Sequence, residues 1–256
     1  MRKTNLKISD ARMFSWVFSH DLALCGRFLS AVLGKEIEPL EVAIAESTEM
    51  PIPSAKQGRL DVKAKGGNSL YDIEMQIADL PDLAYRARYY QGAMDVESLP
   101  MGGDYDDLPT SYVIFLCMKD FQKKGKPYWH YQMKDGEEAL DDGRHVIFLA
   151  ADEYGKMREG ALRSLLHYVF NGHVSSKHPL PAAIDEAVRK ANEDEEAIMY
   201  ITREAEAAYR DKVLAQRLRE IEAKDAEIEA KDAEIDAQAA EIAELRKMLA
   251  EAGLGL

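Results

Sequence analysis

Two acidic residues, Asp61 and Glu74, stand on either side of a predicted hairpin turn. Residues 59–65 alternate Leu60, Val62 and Ala64 with Arg59, Asp61, Lys63 and Lys65, and residues 71–77 alternate Tyr71, Ile73, Met75 and Ile77 with Asp72, Glu74 and Gln76. Gly66-Gly67-Asn68-Ser69 lies between them and is a strong turn signal. A turn centred between Gly67 and Asn68 sets Asp61 opposite Glu74, Arg59 opposite Gln76 and Lys63 opposite Asp72. All six side chains then share one face, with opposed Cβ atoms about 4.5–5.5 Å apart. Two carboxylates in that relation repel. One solution is a divalent cation between them. Mg²⁺ takes oxygen ligands, and a bound metal polarises a phosphodiester and acidifies water. The other solution is a solvated polar face on which Arg59 and Lys63 neutralise both acids.

The surrounding elements read as follows. Residues 9–33 form a helix capped by Ser9 or Asp10, with a break at His20-Asp21 and an end at Gly34. Residues 40–45 form a short strand and 51–58 a loop. Pro81 opens a helix to about Ser98, with Leu83, Ala87, Tyr90 and Met94 on one stripe. Residues 101–109 are a polar loop, and the apolar run Ser111–Met118 is a central strand. Tyr128–Met133 and His145–Ala150 are further strands, and 157–170 is an amphipathic helix. This order predicts an α/β domain with a mixed sheet.

The chain has 256 residues and a net charge of −13. That balance argues against a histone-like coat on nucleic acid. No apolar run reaches the roughly 18 residues of a membrane span, and the N-terminus lacks an apolar signal core. Cys25 and Cys117 sit in apolar contexts, as free thiols do in a reducing cytoplasm. No membrane partner and a cytoplasmic location are expected. The acidity is concentrated at the C-terminal end, where residues 185–256 hold 20 acids against 11 bases. There AKDAEIE, AKDAEID and AQAAEIA follow one another with period seven. Ile221, Ile228, Ile235, Ile242 and Leu249 mark one seam, while the companion seam is poor. Two readings stand: a helix that pairs weakly in a homodimer, or a solvated single helix held by ion pairs. The expected division is a body at 1–181, a connecting helical segment at 182–202, and a heptad-containing helix at 203–256.

Three runs now combine: Gly-Arg-Leu-Asp-Val-Lys-Ala-Lys at 58–65, Tyr-Asp-Ile-Glu-Met-Gln at 71–76, and Arg86 with Arg88-Tyr89-Tyr90. With Phe14, Val17, Phe18, Phe28, Leu29, Val32 and Leu33 near the N-terminus, they resemble the PD-(D/E)XK nuclease superfamily. More closely, they look like its recombination-promoting nuclease / putative transposase branch, over roughly residues 10–180. The resemblance implies a restriction-endonuclease-like mixed β-sheet core flanked by helices, carrying here a long C-terminal helix. It implies a metal-dependent DNA endonuclease linked to recombination or mobile elements. In it Asp61 and Glu74 bind Mg²⁺, with Mn²⁺ substituting. Two departures stand out. Leu60, not proline, precedes Asp61, and Gln76 holds the position of the usual lysine. A neutral amide orients water but supplies no positive charge. Lys63 is the candidate replacement, and the catalytic set is Asp61, Glu74, Gln76 and Lys63. Lys56, Arg59, Arg86, Arg88 and Tyr89 are candidates for DNA contact. The alternative is a nuclease-like protein that cleaves weakly or not at all and acts through DNA binding and assembly.

Overall fold

The fold is that of a computed structural model, which describes residues 5–49, 58–78 and 80–251. Local signals start and stop its helices. The Asp10 carboxylate accepts the Arg12 N–H at 3.1 Å and opens α1 (Ala11–His20). The Asp21 carboxylate accepts the Leu24 N–H at 2.8 Å and opens α2 (Leu22–Leu33). The break at His20-Asp21 is therefore a capped junction between two helices. Gly34 closes α2 at φ 67°, a left-handed cap that favours glycine.

The sheet is built on the hairpin. β1 (Val42–Glu49) pairs antiparallel with β2 (Gly58–Gly66), which pairs antiparallel with β3 (Ser69–Gln76). Lys63 faces Asp72 and Val62 faces Ile73, the register expected from the turn. Gly67 takes φ 55°, where a Cβ would also meet Glu38 Cγ at 3.0 Å. β1 runs past the expected end at 45 into Glu46-Ser47-Thr48-Glu49. It is an outer strand with Val42 and Ile44 exposed, so an apolar run did not mark its length.

After α3 (Leu83–Ser98), β4 (Thr110–Cys117) lies parallel to β3. β5 (Tyr128–Tyr131) is followed by a small ribbon of β6 (Lys134–Asp135) and β7 (Glu138–Ala139) and then β8 (Arg144–Ala150). The main sheet has the order β1-β2-β3-β4-β8-β5. The helix expected over 157–170 is α4 (Ala161–Asn171), preceded by 3₁₀ turns at Ala151–Lys156. α5 (Pro179–Ala191) and α6 (Glu195–Glu251) complete the chain.

Two apolar clusters cover the sheet. One joins α1, α2, α4 and α5 to Val62, Ala64, Tyr71, Ile73, Tyr112 and Ile114. The other joins α3 to Leu60, Leu70, Val113, Phe115 and Phe148. Leu60 therefore does not share a cluster with Val62 and Ala64, although strict alternation along 59–65 requires it. Alternation assumes an unbroken ladder, and the β2–β3 ladder ends at Val62.

The chain divides into two compact units, Met1–Thr202 and Arg203–Leu256. The expected body boundary at 181 falls inside α5, and Leu180, Ile184, Val188, Ala191, Ala197 and Ile201 are all buried in the first cluster. These residues close the core of the first unit. In the second unit Leu214, Leu218, Ile221, Ile228, Ile235 and Ile242 are exposed along the helix. Among the described residues no helix is long and apolar enough to cross a membrane.

Candidate active site

β2 and β3 separate where their acids meet. Beyond the Val62–Ile73 pair, carboxylates take over main-chain donors. The Asp61 N–H donates to Glu74 Oε1 at 2.9 Å, and the Met75 N–H donates to Asp61 Oδ2 at 2.9 Å. Each acid is thus tied to the opposite strand by a hydrogen bond from a main-chain N–H.

The face is not solvated. Asp72 is 0%, Glu74 3% and Gln76 8% exposed. That overturns the reading of a hydrated polar face. The cover comes from α3, whose apolar stripe Leu83, Ala87, Tyr90 and Met94 is buried as expected.

Arg86 reaches down from α3 into this layer. Its Nη1 donates to Gln76 Oε1 at 2.9 Å, and its Nη2 donates to Glu74 Oε2 at 2.9 Å and to the Tyr90 hydroxyl at 3.1 Å. The guanidinium lies 5.4 Å from the ring centres of both Tyr90 and Phe115. Gln76 Nε2 donates to the Ala78 carbonyl at 2.6 Å, so both ends of its amide are held. The sequence placed Arg86 among residues for phosphates. The structure places it against two members of the expected catalytic set.

The other candidates lie apart from this contact. Lys63 faces Asp72 in register, yet its Nζ pairs with Glu97 on α3. Neither oxygen of Asp72 has a hydrogen-bond partner among the described residues. Arg88 is exposed, and Tyr89 is half-buried with its ring 6.4 Å from that of Tyr90. The main chain of Arg59 pairs with Thr48; its side chain, like the whole of Lys56, lies outside the described residues. Sequence reasoning treated Asp72 as the partner of Lys63 and missed it as a buried acid. Its position two residues before Glu74, on the same face, was the available signal.

Burial, and then the charge of Asp61, push the Glu74 carboxyl up from 4.5 to about 8. Arg86 and the Asp61 N–H pull the other way and are outweighed. Asp72 is raised well above the usual carboxylate range by burial, then by the charges of Glu74 and Asp61. The folded protein therefore holds protons that the unfolded chain releases. For Glu74 the stabilisation is complete below pH 4.5 and is lost as pH rises through about 8. In chelator, chemical denaturation should show stability declining across that window, and Glu74→Gln should flatten the decline. An unchanged pH dependence in the variant would remove Glu74 as its source.

Two carboxylates whose shared charge is disfavoured fit an oxygen-liganded cation completed by water and phosphate. They do not resemble a thiolate or imidazole cage. Among the described residues no group of three or more His, Cys, Asp or Glu converges as a metal site. A metal bound here would have two protein carboxylates, with water and substrate to fill the remainder.

A mixed sheet flanked by helices, with an acid pair where two neighbouring strands part, defines a restriction-endonuclease-like protein. The family model described as PD-(D/E)XK nuclease family transposase matches residues 12–217, and the chain belongs to that family. No curated protein and no solved structure matched the chain. Nucleases of this superfamily generally use divalent metal ions.

Proposed function

We propose that this protein is a metal-dependent DNA endonuclease that hydrolyses phosphodiester bonds, linked to recombination or mobile elements. The observation that carries the reading is the hydrogen-bonded Asp61–Glu74 pair, with Glu74 buried and the Arg86 guanidinium against Glu74. Asp61 and Glu74 hold Mg²⁺, with Mn²⁺ substituting; when bound, the ion polarises the scissile phosphate and acidifies water. Arg86 supplies the fixed positive charge that Gln76 lacks, aimed at the charge that develops on the phosphate. Gln76, held by Arg86 and Ala78, orients the attacking water through its amide. Lys63, two residues from Asp61, contributes to the field of the site. Lys56, Arg59, Arg88 and Tyr89 contact the DNA backbone around it. A plasmid-nicking assay with Mg²⁺ and with chelator tests the reading. Nicking that chelator does not suppress would overturn it, as would no nicking at all. The rival reading, a DNA-binding and assembly protein without efficient cleavage, draws on Gln76 and on Arg86 already occupying Glu74 Oε2. It expects DNA binding without nicking.

The tail pairs two copies of the chain. Leu214, Ile221, Ile228, Ile235 and Ile242 recur every seven residues and are exposed. The companion positions Asp225, Asp232 and Ala239 weaken the seam while restricting its register. Ion pairs such as Lys231–Glu227, at 2.6 Å, add only about 0.2–0.5 kcal/mol each to a lone helix. Full-length protein should therefore sediment as a dimer at tens of micromolar, and a chain ending at Thr202 as a monomer. Monomers in both samples would leave the tail as a solvated helix.

A further inference from the structure

We propose that the groove between α3 and the β5–β8 edge receives one unstacked nucleobase of the DNA, and prefers adenine and cytosine to thymine. The proposal rests on the nuclease reading above and adds a substrate preference to it. The groove has a volume of about 570 Å³. Ala87, Arg88 and Gln91 of α3 form one wall, and Phe121, Tyr131 and Phe148 form the other. The Phe121 and Phe148 rings lie 4.5 Å apart, and Tyr131 meets Phe148 edge to face at 6.0 Å. Phe148 is buried, so the rings open to a base are Phe121 and Tyr131. Aromatic faces stack bases of any sequence, changing affinity by about five- to 150-fold per base.

Gln91 gives the groove its chemical preference. The residue is 4% exposed, and its Nε2 donates to the Ser111 carbonyl at 3.3 Å and to the Ser111 hydroxyl. A main-chain carbonyl can only accept, so this contact fixes which way the amide points. Gln91 Oε1 is left buried with no hydrogen-bond partner among the described residues. Buried polar atoms are nearly always paired, and an unmet acceptor in a groove wall asks for a donor from outside. The amino groups of adenine and cytosine are such donors, whereas thymine presents a carbonyl at the equivalent edge.

Charge and position select the same occupant. Arg88, exposed and stacked over Tyr85 at 5.6 Å, stands at the α3 rim where a phosphate attached to the base would pass. Two ring contacts connect the groove to Arg86 of the carboxylate site. Arg86 lies 5.4 Å over the Phe115 ring, and that ring stacks at 5.4 Å on Phe148, a residue of the groove wall. An apolar side chain from a protein partner would cover the rings but leave the Gln91 acceptor unmet.

The test is fluorescence anisotropy of the full chain in chelator, with labelled single strands of about 12 nucleotides. The probes are oligo-dA, oligo-dC, oligo-dT and an abasic strand of equal length. The expected order is dA and dC about tenfold tighter than dT, with the abasic strand weakest. Phe121→Ala should weaken all three base-bearing strands about tenfold and leave the abasic strand unchanged. Gln91→Leu should bring dA and dC down to the level of dT. Tyr131→Ala, at an exposed ring, repeats the stacking test should Phe121→Ala fail to fold, and the comparison of dA and dC with dT in the wild type tests the preference should Gln91→Leu fail to fold. Equal affinity for abasic and base-bearing strands, in a protein that nicks plasmid with Mg²⁺, removes the pocket and leaves the nuclease reading intact. Absence of both binding and nicking removes both. Base-dependent binding without nicking keeps the pocket and removes cleavage. If Phe121→Ala alters sedimentation but not oligonucleotide binding, the groove is a protein interface and the proposal is wrong.

Discussion

Asp61→Asn and Glu74→Gln should each reduce metal-dependent nicking by at least about a hundredfold. Each removes one of two anionic ligands from a site where, among the described residues, no group of three or more His, Cys, Asp or Glu is placed to hold a metal. The amide variants are the informative ones because each keeps an oxygen where the fold uses one. Asparagine at 61 can still accept the Met75 N–H, and glutamine at 74 can still accept the Asp61 N–H. Asp61→Asn should melt at the same or a slightly higher temperature in chelator, since it relieves repulsion between the two acids. Alanine at 61 would instead strand a main-chain donor, at about 1–3 kcal/mol. Wild-type nicking by either purified amide variant would show that the acids are structural and that the chemistry lies elsewhere.

Arg86→Met should lower the nicking rate by about 10²–10³-fold while leaving the protein able to bind metal. Methionine fills much of the space against Tyr90 and Phe115 but removes the charge. It also leaves Gln76 Oε1 without its donor, and Glu74 without the cation that favours its ionised form. The metal requirement should therefore shift to higher concentration or higher pH, because more of Glu74 is protonated at neutrality. Arg86→Lys should recover part of the loss. A single ammonium supplies charge but cannot span Gln76 and Glu74 as the two guanidinium nitrogens do. Full activity in Arg86→Met would return the role of the missing lysine to Lys63 or to no residue at all.

The hairpin was legible because its information is local. Gly67-Asn68 sets the turn, the turn sets the register, and the register brings Asp61 to Glu74. Helix limits at Asp10, Asp21 and Gly34 were legible for the same reason. The part that escaped is what distant elements do to that hairpin. Alternation along 71–77 identifies one polar face but does not say that α3 will cover it, so a solvated face stayed open beside a metal site. Arg86 read as a candidate for DNA contact because its partners lie 10 and 12 positions back, on another element. The end of the β2–β3 ladder escaped too, and Leu60 with it, because a period of two carries no mark where a ladder stops.

The hydrogen bonds that tie Asp61 and Glu74 to the opposite strands also bear on how a lineage of such proteins can change. In each acid, one oxygen is a component of the sheet and not solely of the site. A descendant under no pressure to cut DNA still needs those two oxygens to close the gap between β2 and β3. Drift should therefore reach Arg86, whose contacts are all side chain to side chain, before it reaches either acid. An intact acid pair in a relative is then a sign of a preserved fold, and the residue at the Arg86 position is the better witness to a preserved activity.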